Sequence, residues 1–249
     1  MDKEKEITGI EPHSIVNSGR SFDSFEETIF TLVWEKLFNS MTTKEFVLDR
    51  PLRQIVTGID FNEEGEPYID FRPSDFTKKG FDFTFNKLES MSSKPIRICN
   101  DMNEVFISFF LFSMIENKFP FVRCYFSSTV LKYLLYFGVG EGGCFFNVLA
   151  CIKMQTAINQ RLYRLMKSNQ NKGNKTVTIS VTTLKDKYNV PDYDFTQIEK
   201  RILKHFQEKL LSNNYSDIAV KYEPIYETNR KRIGRPAVIA IKFTILKKK

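Results

Sequence analysis

The sequence predicts an α+β protein of two domains, and three observations carry that expectation. The chain has 249 residues, room for two domains of roughly 100 to 150 residues each. Helical and strand periodicities alternate along it, and their order in the second half repeats a longer version in the first. The charge is divided: residues 1–150 hold 16 Lys and Arg against 22 Asp and Glu, and residues 151–249 hold 21 against 8. A net −6 beside a net +13 marks the second half as the surface for a polyanion, nucleic acid first and an anionic membrane second.

In the first half, residues 22–38 space Phe22, Phe25, Ile29, Leu32 or Val33, and Lys36 or Leu37 along one face of a helix, with Glu26, Glu27 and Glu35 expected on the other side. Phe46 to Leu48 is a short apolar stretch, and LRQIV after Pro51 reads as a short helix. Glu63, Glu64, Gly65, Glu66 and Pro67 form a loop signal. A third helix is expected over 74–91. Strands follow over 95–99, 105–115 and 119–126, the last two turning at Glu116, Asn117 and Lys118.

In the second half, residues 144–168 resume helical spacing through Ile152, Ile158, Leu162, Leu165 and Met166, interleaved with Lys153, Arg161, Arg164 and Lys167. A strand over 176–181 and a small helix over 184–188 precede Pro191. The clearest helix, 195–211, lines up Phe195, Ile198, Ile202, Phe206 and Leu210, and Asp194 with Gln197 supplies a capping box. Strands over 217–222 and 237–246 flank ETNRKRIGRP, and Lys247, Lys248 and Lys249 read as a solvated tail. Helix, strand, helix, helix, hairpin is the order of a winged helix. The fold expected is therefore α+β, two winged-helix domains in tandem over 1–140 and 141–249, joined in the glycine-rich segment 138–145.

Several function classes are excluded on residue content. The longest strongly apolar run, about 105–115, is short of the ~20 residues of a membrane helix, and the amino terminus lacks an apolar signal region. A cytoplasmic protein without membrane contact is expected. Cys99, Cys124, Cys144 and Cys151 form no C-x-x-C pair, and His13 and His205 are the only histidines, so reduced thiols and no metal are expected. Gly138, Gly140 and Gly143 fit G-x-G-x-x-G, yet no acid lies between Glu141 and Asp186 to hold a ribose. With no P-loop either, no cofactor is expected. Asp60, Glu63, Glu64 and Glu66 read as a solvated loop rather than a magnesium site, and no catalytic constellation is visible. The chain is expected not to be an enzyme.

Binding chemistry is better represented. On the polar side of the 195–211 helix, Gln197, Lys200, Arg201, Lys204 and Glu208 recur at helical spacing. A helix fits the major groove of duplex DNA, where Arg or Lys pairs with guanine and Gln with adenine; the competing reading is an ordinary solvated face. Arg230, Lys231, Arg232 and Arg235 sit at the tip of the last hairpin, with Gly234 to relax the turn. A basic hairpin beside a basic helix suits base reading by one and phosphate contact by the other. Double-stranded DNA is thus the expected partner.

TAINQRLYRLMK (156–167), VTISVTTLKDKYNV, YDFTQIEKRILKHFQEKL, DIAVKYEP and RIGRPAVIAIKF resemble the second winged-helix domain of plasmid replication initiator (Rep) proteins, which bind directly repeated origin sequences called iterons. Arg161-Leu162-Tyr163, Arg201-Ile202-Leu203 and Gly234-Arg235 carry the resemblance over roughly 155–246. HSIVNSG before the first long helix is similar in layout to the first domain. The resemblance implies that the second domain binds the origin repeat and the first adds DNA contacts or dimerises. It also implies that monomers melt adjacent AT-rich DNA, that dimers repress their own gene, and that host initiator, helicase and primase are partners. This chain departs from the family in having Glu199-Lys200 where several arginines often precede the hydrophobic pair, and Lys209-Leu210-Leu211 at the helix end. A transcription regulator that never melts DNA and a DNA-acting nuclease or polymerase are the alternative readings.

Overall fold

Residues 8–41, 51–56, 58–99, 105–140, 143–228 and 236–248 are described by a computed structural model. The chain divides into two units, Met1–Val148 and Leu149–Lys249. The division falls beyond the glycine-rich segment because that segment is built into the first unit.

The first unit runs β1 (Thr8–Pro12), α1 (His13–Val16), α2 (Ser24–Met41), α3 (Leu52–Ile55), β2 (Asp60–Phe61), β3 (Pro67–Phe71), α4 (Phe81–Ser92), β4 (Ile96–Cys99), β5 (Val105–Phe109), β6 (Met114–Lys118), β7 (Phe121–Tyr125), α5 (Ser128–Gly140) and β8 (Gly143–Asn147). All pairings are antiparallel: β2-β3-β7-β6 form one sheet, β4 pairs with β5, and β1 pairs with β8. Pairing of β1 with β8 ties the start of the unit to its end. Ile29, Phe30, Val33, Trp34 and Leu37 of α2 and Leu131, Leu134 and Leu135 of α5 are fully buried.

Several sequence expectations are corrected here. Glu26 and Glu27 are buried, because both meet cations: Glu27 accepts from Arg20 Nε at 2.9 Å and Glu26 from Lys94 Nζ at 2.7 Å. The helix expected over 74–91 starts only at Phe81. Gly80, at φ +85°, breaks the chain there after a 3₁₀ turn at Pro73–Asp75. The strand expected over 105–115 divides between two sheets, and the hairpin turn falls at Phe119-Pro120, one step beyond the polar triplet. The glycines are no linker: Gly138 and Gly140 lie in α5, and Gly143 opens β8. The apolar stretch at Phe46 to Leu48 lies outside the described residues.

The second unit carries α6 (Val148–Ile152, beginning one residue before it), α7 (Ala157–Asn171), β9 (Thr176–Ser180), α8 (Val181–Tyr188), a long helix α9 over 195–212, β10 (Ile218–Tyr226) and β11 (Val238–Lys247). The single helix expected over 144–168 is therefore strand, short helix and long helix. Gln155 at φ +67° makes the break, and the Thr156 hydroxyl caps α7 by accepting from Asn159 N–H at 3.2 Å. The sheet order is β10-β11-β9, antiparallel throughout. Ile241, Phe243 and Ile245 alternate inward as expected, whereas Ile239 is 48% exposed because it bulges where Tyr226 pairs with Val238. Helix, strand, helix, helix and hairpin stand in the winged-helix order.

Candidate nucleic-acid interface

The interface is built on α9, whose apolar residues stand four apart at Ile198, Ile202, Phe206 and Leu210. At 3.6 residues per turn each such step overshoots by about 40°, so the stripe would wind a third of the way round an α-helix. The backbone absorbs the drift with a π-helical stretch, Glu199–Lys204, between Phe195–Ile198 and His205–Ser212. All four residues are buried, with exposures of 2% or less. On the opposite face Lys200, Arg201, Lys204 and Glu208 are exposed.

Polar contacts fix the helix at both ends and along its side. At the start, the Asp194 carboxylate accepts from Gln197 N–H at 2.7 Å and Gln197 Oε1 accepts from Asp194 N–H at 2.9 Å, the capping box expected. Along the side, Gln207 Nε2 donates to the Val220 carbonyl at 3.0 Å and Tyr222 Oη to Glu199 Oε1 at 3.3 Å. Burial, with the Glu199 charge added, raises the Tyr222 phenol above its ordinary value and keeps it the donor. Asn159 Nδ2 lies 2.9 Å from His205 Nδ1. At the end, Lys248 Nζ donates to the carbonyls of Leu210, Leu211 and Asn213 at 3.2, 2.9 and 2.8 Å. Lys248 is thus a helix cap and not part of a solvated tail; nothing local in a run of three lysines singles it out.

The expected reading residues are distributed as follows. Lys200, Arg201 and Lys204 share the exposed face. Arg201 Nη1 donates to Tyr193 Oη at 3.3 Å, and its guanidinium lies 5.4 Å from the centre of that ring, a contact sequence reasoning missed. Gln197 is half-buried and its Oε1 is held in the cap, so pairing with adenine through both carboxamide atoms requires giving up the cap. Arg230, Lys231, Arg232 and Arg235 lie outside the described residues; β10 and β11 lead to them. Between α8, the start of α9 and the base of this hairpin runs an open groove of about 840 Å³ lined by Lys185, Phe195, Thr196, Tyr226 and Val238 among others.

A dinucleotide fingerprint needs its glycines after a strand and before a helix, whereas these close α5 and open β8. Asp60, Glu63, Glu64 and Glu66 are exposed around the β2–β3 hairpin. Among the described residues no three His, Cys, Asp or Glu side chains cluster as a metal site, and no helix is long and apolar enough to cross a membrane. Cys124, Cys144 and Cys151 are buried.

Residues 180–245 match the family described as initiator Rep protein, WH2. No curated protein matches the chain. Among solved structures, the Pi initiator protein in complex with iteron DNA has the same fold with a TM-score of 0.65 and 12% identity, over 99% of this chain and 99% of that one. The α+β expectation and the resemblance of the second unit to the initiator winged helix are both upheld. The match runs from Ser180, the last residue of β9, to Ile245 in β11 and includes all of α8 and α9.

Proposed function

We propose that this chain is a plasmid replication initiator that binds directly repeated origin sequences, the iterons, as duplex DNA. The observation that carries the reading is the row Lys200, Arg201 and Lys204, exposed on a helix fixed at both ends within the segment that matches the initiator winged helix. In this reading Arg201 and Lys200 reach base edges, Lys204 a phosphate, and Gln197 offers its Nε2 donor. Arg230, Lys231, Arg232 and Arg235 hold phosphate or enter the minor groove from the wing. The first unit, acidic overall, serves dimerisation and auxiliary DNA contacts. Origin melting, recruitment of host initiator, helicase and primase, and a cytoplasmic location belong to the same reading, in which the protein is a binder and not an enzyme.

Fluorescence anisotropy on the duplex upstream of the chain's own gene, against a scrambled duplex at two salt concentrations, tests it. Selectivity of about 10³ or more is expected. Arg201→Ala is expected to lose about 1 to 3 kcal/mol on the cognate duplex alone. Equal loss on both duplexes removes the groove assignment.

A further inference from the structure

We infer that Tyr193 is a positioning residue for Arg201, setting the guanidinium in place before DNA arrives and thereby contributing to sequence specificity. The inference rests on the reading above, in which Arg201 meets base edges. Arginine has many rotamers, and an exposed one must surrender much of that freedom to align its planar fork with guanine. Tyr193 removes part of that freedom in advance. Its hydroxyl accepts from Arg201 Nη1 at 3.3 Å, and the guanidinium lies 5.4 Å from the ring centre, within the range in which a cation is attracted to an aromatic ring. Among the described residues, Lys200 and Lys204 on the same face have no such partner.

The tyrosine is itself held. It stands two residues after Pro191, whose ring limits the backbone of the turn, and its N–H donates to the Val190 carbonyl at 3.2 Å. Lys185 Nζ donates to the Pro191 carbonyl at 3.3 Å. The next residue, Asp194, is locked in the capping box. The phenol therefore stands beside the second turn of α9 on a loop pinned at both sides. Arginine has five N–H donors and only one is engaged with Tyr193, so Nη2 and Nε remain for a two-point contact.

The experiment is a double-mutant cycle in the full chain, read by anisotropy on the tightest duplex that the wild-type chain selects from a randomised pool, and on a scrambled version. Tyr193→Phe keeps the ring and removes the acceptor; Tyr193→Ala removes both. Cognate binding is expected to weaken about threefold for Tyr193→Phe and about tenfold for Tyr193→Ala, with little change on the scrambled duplex and an unchanged unfolding midpoint for Tyr193→Phe. In an Arg201→Ala background both losses should vanish, a result that direct contact of Tyr193 with DNA does not produce. Tyr193 losses that persist undiminished without Arg201 overturn the inference and leave the site reading standing. So does an Arg201→Ala loss confined to the cognate duplex while both Tyr193 variants bind as wild type. If Arg201→Ala binds the selected duplex as wild type does, the groove reading falls and the inference with it.

Discussion

Lys248 offers a test of how the reading helix is fixed. The last carbonyls of a helix have no intrahelical donor, and here one ammonium serves Leu210, Leu211 and Asn213 at 2.8 to 3.2 Å. A hydrogen bond from a charged donor nets about 1.5 to 3 kcal/mol when buried, and a cation at a helix carboxyl end adds about 0.3 to 1 kcal/mol. The side chain is only half-buried and the ammonium gives up hydration to reach three acceptors, so the sum is nearer about 1 to 2 kcal/mol. Lys248→Met keeps the aliphatic stem and removes the donors. For a unit of this size it should lower the melting temperature by about 5 to 10 °C. Scanning calorimetry of the full chain reads the shift, with the exposed neighbour Lys247 changed to Met as control. If Lys248→Met and Lys247→Met melt within about 1 °C of each other, below about 0.3 kcal/mol on the same scale, the capping argument is wrong.

Two further outcomes concern the first unit. Arg20 is buried with Glu27, donating through Nε and Nη2 at 2.9 and 3.2 Å; Arg20→Met should cost about 3 to 5 kcal/mol in urea unfolding, and a loss under about 1 kcal/mol would place the pair among weakly coupled surface contacts. Burial works to raise the Asp23 carboxyl, but the bonds from Lys87 and from the Glu26 and Phe25 N–H groups outweigh it and hold it below the ordinary aspartate value. Its stabilisation is therefore complete above that value, about 3.9, and lost as pH falls below it. The bond to Asp23 raises Lys87, so its share is lost only at the alkaline end, as pH rises past the ordinary lysine value of about 10.4. Asp23→Asn should flatten the acid limb of a stability-against-pH curve, and an unchanged limb assigns it to other carboxylates.

Local periodicity carried the second unit well and the first unit poorly, for an identifiable reason. In α9 the stripe, the cap and the exposed cations are all set by residues within one helix, so spacing alone displays them. In α2 the outcome depends on residues elsewhere: Glu26 and Glu27 read as solvated until Lys94 and Arg20 are brought beside them. Helix α7 is a similar case. Arg161, Arg164 and Lys167 are buried, Lys167 by reaching Asp217 at 2.7 Å and Arg161 by lying 5.0 Å from the centre of the Tyr188 ring. The glycine segment misled because three glycines outweighed the apolar residues around them. Leu131, Leu134 and Leu135 before them and Cys144 and Phe146 after them are all core. The four-residue spacing in α9 displays the buried stripe but not the π-helical stretch, since an α-helix drifting by about 120° over the four positions would still turn all of them to one apolar face.

The exposed cations of α9 differ from several cations of the first unit, and the difference bears on function more than the net charges do. In the first unit Arg20, Lys87, Lys94, Lys118 and Arg123 each meet a carboxylate: Glu27, Asp23, Glu26, Glu116 and Asp70. On α9 the acid Glu199 is engaged by the Tyr222 hydroxyl, and among the described residues Lys200, Arg201 and Lys204 face solvent without a carboxylate partner. Exposed pairing would have stabilised the fold by about 0 to 1 kcal/mol per pair, so little stability is forgone. For a polyanion the gain is larger, because each lysine or arginine that neutralises a phosphate releases condensed counterions and steepens the salt dependence of binding. A cation already paired must first break from its carboxylate. Fixing α9 through an aspartate cap, a glutamine and a tyrosine side chain, and a lysine beyond its far end therefore leaves Lys200, Arg201 and Lys204 available to the duplex.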